Sequence, residues 1–65
     1  MKEKLIEELK KERERFLNRN QDTIEHDLTI KYLQTGILPR NWEDYELLGA
    51  AKDDFNTLCS DYGVK

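Results

Sequence analysis

The sequence predicts an all-α fold, a small three-helix bundle, with a helical hairpin dimerising through helix 1 as the alternative. Three observations carry this expectation. No stretch alternates apolar and polar residues with the period of two that a half-buried strand requires. Apolar residues instead recur three and four apart, the spacing of one helix face. Turn-forming residues are few, and Gly36, Pro39 and Gly63 all fall at candidate helix boundaries.

Helix 1 is expected over about residues 2–18, a run dense in Glu, Lys, Arg and Leu, the strong helix formers. Glu7 with Lys11 and Glu12 with Arg15 make surface pairs worth ~0.2–0.5 kcal/mol each. Leu5, Ile6 and Leu9 form one apolar cluster, Phe16 and Leu17 a second, and Glu12 and Arg13 interrupt the stripe between them. The two ends are therefore expected to pack on different partners. Phe16 and Leu17 would join the main core, while Leu5, Ile6 and Leu9 would cap it or meet a second chain.

The polar run "NRNQD" ends helix 1. Asp22 is the expected N-cap of helix 2, with Glu25 in capping-box position. Helix 2 is expected over about residues 23–35. Ile24, Leu28 and Tyr32 share a face, and Ile30 and Leu33 widen the apolar arc, as in a helix sandwiched between neighbours. Gly36 stands where a left-handed residue closes a helix.

Pro39 disfavours a helical Leu38. Asn41 is the next N-cap, and Glu43 and Asp44 in the first turn suit the positive end of the helix dipole. Helix 3 is expected over about residues 41–62. Its stripe is Leu47, Ala51, Phe55, Leu58 and Tyr62, broadened by Leu48 and Cys59. Gly49 weakens it by about 1 kcal/mol relative to Ala.

Sixty-five residues allow one domain, here 1–65. A chain this short buries only ~60% of the surface its unfolded form exposes, so its stability is marginal. Cys59 is the lone cysteine, which leaves no disulfide framework and suits a small core residue. No run approaches the ~20 apolar residues of a membrane span. The expectation is a soluble, cytoplasmic protein with no membrane association.

Catalytic chemistry is sparse. The one histidine, His26, falls in the first turn of helix 2 between two acids and is expected to be solvated. One His and one Cys do not make a structural zinc site. "DDFNTLCSD" lacks the mid-loop glycine and final glutamate of a calcium loop. No glycine-rich phosphate loop is present. No catalytic residue, metal or cofactor is expected.

Charge is unevenly placed. Residues 1–20 hold seven bases against five acids, net +2; residues 21–65 hold four bases against nine acids, net −5. Helix 3 alone sets Lys52 against six acids. Phosphates would repel it, so it does not suit the recognition helix of a helix–turn–helix. The expected function is a non-catalytic protein-interaction module, a regulator or inhibitor whose acidic helix 3 meets a basic partner surface. The residues expected to carry it are Leu38, Trp42, Glu43, Asp44 and Glu46. Trp42 lies about 140° around the wheel from Leu47, so it either folds back over Ile37 or Leu38 or is exposed to a partner. The alternative is a nucleic-acid-associated regulator using Lys10, Lys11, Arg13 and Arg15, with a homodimer as its expected form.

Overall fold

The computed structural model describes residues 2–64. Four α-helices and one 3-10 turn follow in order: α1 (Lys2–Asn18), α2 (Ile24–Thr35), the 3-10 turn (Trp42–Asp44), α3 (Glu46–Asp53) and α4 (Phe55–Asp61). Among the described residues there is no strand, and the all-α bundle expected from the sequence is what forms.

Each long helix ends by a local device. Beyond α1, Asn20 adopts the left-handed conformation (φ 58°). Its N–H donates to Leu17 O at 3.0 Å, and Gln21 N–H donates to Phe16 O at 2.8 Å. This is a Schellman closure with asparagine in the place glycine usually takes. After α2, Gly36 (φ 76°) donates its N–H to Tyr32 O at 2.8 Å. After α4, Gly63 donates to Ser60 O and Val64 to Cys59 O, a second Schellman closure that turns Val64 into the core.

The core joins Leu5, Ile6 and Leu9 of α1 with Ile30 and Leu33 of α2, Ala51 of α3, Leu58 and Cys59 of α4, and Val64. This reverses the expected roles of the two α1 clusters. Leu5 and Leu9 are fully buried, Phe16 is half-buried, and Leu17 is exposed. The α4 segment and Val64 supply buried partners for the N-terminal cluster. Leu17 stands instead at the outer end of the α1–α2 hairpin.

The buried arc of α2 is also rotated from the expected one. His26, Thr29, Ile30 and Leu33 face inward, Leu28 and Tyr32 lie at the margin, and Ile24 is 51% exposed. Two polar residues of this arc find partners inside: Thr29 Oγ1 donates to Glu25 O at 2.8 Å, and one ring nitrogen of His26, Nε2, meets Glu12. The N-cap of α2 is Thr23, one residue after the expected Asp22, and it makes no side-chain cap; Asp22 accepts from Ile24 N–H at 2.8 Å from outside the helix. Glu25 does not close a capping box. Its Oε1 crosses to α3 and accepts from Leu47 N–H at 2.8 Å.

The expected long third helix is divided. Asn41 precedes only the 3-10 turn and makes no side-chain cap. Extended Tyr45 then resets the chain before α3. The helix runs through Gly49 and breaks at Asp54 (φ −131°, ψ 46°), which both ends α3 and begins α4. A continuous helix over 41–62 would be about 33 Å long. The molecule extends only 29 × 29 × 18 Å, and the break allows Ala51 and Leu58 to enter one core.

Candidate functional site

Two groups of side chains stand out, one internal and one on the surface. The internal group is built on Glu12. On the helical wheel of α1, Glu12 shares the face of Leu5, Leu9 and Phe16, so the helix aims its carboxylate inward. Glu12 Oε1 accepts from Tyr62 Oη at 2.6 Å and meets His26 Nε2 at 2.6 Å. A carboxylate acceptor there requires the proton of His26 to sit on Nε2. His26 is 5% exposed, and its Nδ1 is buried without a partner among the described residues. The Phe16 ring stands edge-on to the imidazole, centroids 4.6 Å apart.

The electrostatics define what this group does. Burial tends to raise the Glu12 pKa, but hydrogen bonds from Tyr62 and His26 and the positive charges nearby outweigh it and hold the carboxyl below its ordinary value. Tyr62 is pushed well above the ordinary phenol value by burial, by its hydrogen bond to Glu12, and by the negative charges of Glu12 and Glu25. A phenol kept protonated in this way is a steady hydrogen-bond donor, not a base or a nucleophile. The cluster ties α1, α2 and the end of α4 together. His26 is therefore an interior residue, contrary to the solvated position its acidic neighbours suggest. The overlooked signal was Glu12 itself: a carboxylate on a core-facing position implies internal partners.

The surface group contains the residues expected to meet a partner. Glu43, Asp44 and Glu46 are all exposed around the 3-10 turn, and Leu38 and Trp42 are half-buried. Beside them Ile37 is 70% exposed. Trp42 is partly covered by its own chain, lying across α3 where that helix lacks a side chain. A methyl group on Gly49 would meet Trp42 Cζ3 at 3.9 Å, and Lys52 Nζ lies 4.9 Å from the ring centroid. This arrangement gives Gly49 and Lys52 a common role as the bed of the tryptophan ring, with a cation–π contact on one side.

The four basic residues of α1 are not equivalent. Lys11 pairs with Glu8 at 3.1 Å, and the Arg13 guanidinium pairs with Asp27 of α2. Lys10 and Arg15 are exposed. Arg13 is half-buried, and its pair links α1 to α2 beside the Glu12 cluster.

Among the described residues, no helix is long and apolar enough to cross a membrane, and no group of three or more His, Cys, Asp or Glu side chains is placed to hold a metal ion. No family model, no curated protein and no solved structure matches the chain.

Proposed function

We propose that this protein is a small non-catalytic interaction module, a regulator or inhibitor acting by binding a cytoplasmic protein partner. The supporting observation is the composition of one continuous surface segment. Ile37, an exposed aliphatic side chain, is followed by half-buried Leu38 and Trp42 and then by exposed Glu43, Asp44 and Glu46. An apolar anchor with a tryptophan beside it and a charged rim is the composition of an interface centre and its margin. The acids would meet a basic partner surface, speeding encounter and opposing acidic competitors.

The test separates binding from folding. Ile37→Ser removes an exposed side chain and should leave the unfolding midpoint unchanged. Charge reversal at Glu43, Asp44 and Glu46 acts on exposed groups in the same way. Both variants are expected to lose a partner captured stoichiometrically from the native cell and re-formed from purified components. Retention of that partner by both would overturn the assignment of this surface. The nucleic-acid alternative rests on exposed Lys10, Lys11 and Arg15, because the exposed Lys11–Glu8 pair yields readily to phosphate, whereas half-buried Arg13 pairs with Asp27 across two helices. It requires a mobility shift at low salt that weakens steeply as salt rises.

A further inference from the structure

A surface groove lies between the start of α1, the end of α2 and the α3–α4 junction, sharing Lys52 with the bed of Trp42. Its volume is about 440 Å³, within the range of small-molecule sites. Leu33, Ala51 and Phe55 form an apolar floor, Tyr32 adds an aromatic wall, and Lys2 and Lys52 stand at its edges. Its lining contains no carboxylate. The chain carries 14 acids against 11 bases, and four further grooves among the described residues each have at least one acid in their lining. Its own lining is thus net positive in an acidic chain.

We propose that this groove binds a small amphiphilic carboxylate: an aliphatic or aromatic body on Leu33, Ala51 and Phe55, with its anionic head between Lys2 and Lys52. Lys2 has no ion-pair partner among the described residues. Lys52 holds Asp53 at 3.2 Å, an exposed pair that offers little net attraction and yields readily to a better-placed anion. Lysine suits the role because its ammonium is a compact point charge on a flexible stem. The groove also borders the last turn of α2, which has no basic residue of its own, so Lys2 and Lys52 must outweigh the negative end of that helix for an anion to bind.

The molecule contains its own reporter. Trp42 is the single tryptophan, and Lys52 lies over its ring, so drawing the ammonium into the groove changes the tryptophan environment. The experiment titrates octanoate, and octanamide as its uncharged isostere, into the full chain. It follows Trp42 fluorescence and the backbone amide NMR signals of Gly36 and Ala51. Expected are saturable shifts with octanoate, at least tenfold weaker binding of octanamide, and weaker octanoate binding at high salt. Lys2→Gln, which leaves the reporter intact, should weaken octanoate by about threefold or more. Lys52→Gln, read by the amide signals, should do the same. Equal binding of acid and amide would overturn the proposal. So would the absence of saturation, or lysine variants that alter only the unfolding midpoint. Lys52 links the groove to Trp42, so the docking surface is separated from it by Ile37→Ser, an uncharged change outside the groove's lining that should leave octanoate affinity within about twofold.

Discussion

Glu12 occupies a position that helical geometry reserves for the core, and its neighbours answer with a phenol and an imidazole. Hydrogen bonds to a charged acceptor contribute about 1.5–3 kcal/mol, and leaving a buried donor unsatisfied costs a comparable amount. The raised pKa of Tyr62 gives this cluster a distinct pH dependence. The unfolded phenol titrates at its ordinary value near 10 and the folded one higher. The folded state therefore holds its proton where the unfolded state has released it. Stability from Tyr62 is complete below pH ~10 and is lost as pH rises toward the folded value. Glu12 has the opposite sign: its contribution is present above the ordinary carboxyl value and is lost as pH falls through its lowered one. Tyr62→Phe should destabilise the protein at pH 7 and lose less stability than the parent between pH 10 and 11. Urea midpoints measured across that interval decide it, and parallel curves for the two proteins would remove Tyr62 from this role. A second single-residue prediction concerns Gly49. A methyl group there meets Trp42 at an ordinary van der Waals distance, and Gly49 lies inside α3 with no left-handed requirement. Gly49→Ala should therefore raise stability by about 0.5–1 kcal/mol in the same denaturation assay.

Among the elements, local and tertiary effects divide the outcome differently in each helix. The extent of α1 was readable because helix formers fill it and Asn20 follows it. The end of α2 was readable because Gly36 can adopt the left-handed conformation. The face of α2 was not readable: Ile24 and Leu28 outrank His26 and Thr29 in hydrophobicity, and only Glu12 and the Glu25 carbonyl, supplied by folding, make the polar pair fit inside. The division of the third helix left a trace in the sequence. Asp54 is a favourable N-cap residue and follows another aspartate, but its side chain makes no cap bond, so packing rather than capping fixes the break. The surface segment from Leu38 to Glu46 was legible in its exposure of acids. The bed of Trp42 was not, because Gly49 and Lys52 reach the ring only after the 3-10 turn reverses the chain. Glu25 shows how one element can complete another. Its carboxylate accepts a backbone N–H from the first turn of α3, where negative charge also suits the helix dipole. Glu25→Ala should cost about 1–2 kcal/mol. Glu25→Gln, which keeps an acceptor, should cost less. Amide exchange at Leu47 should accelerate in the alanine variant more than global unfolding explains; equal acceleration across the chain would mean that Glu25 does not cap α3.

For the whole molecule the question is where the apolar surface of α1 is spent. A chain of 65 residues has a folding stability of about 3–10 kcal/mol at ~0.05–0.15 kcal/mol per residue. Leu5 and Leu9 have no exposed surface, whereas Leu17 is 43% exposed. Truncating a fully buried leucine to alanine costs about 2–5 kcal/mol, a large part of that total. Truncating a leucine as exposed as Leu17 leaves no buried cavity and costs far less, about 1 kcal/mol or below. Leu9→Ala is therefore expected to leave much of the population unfolded at 37 °C, and Leu17→Ala to remain close to the parent. A helical hairpin dimerising through helix 1 would place the same leucines between two chains, and it also predicts damage from Leu9→Ala. Concentration separates the two. Burial of Leu5 and Leu9 against Ile30, Leu33, Leu58 and Val64 of the same chain makes the thermal midpoint independent of protein concentration, whereas a dimer seam makes it climb with concentration by mass action. The expected result is a midpoint that stays fixed from about 5 to 500 μM, read by far-UV circular dichroism. A midpoint rising by several degrees over that range would mean that these leucines meet a second chain.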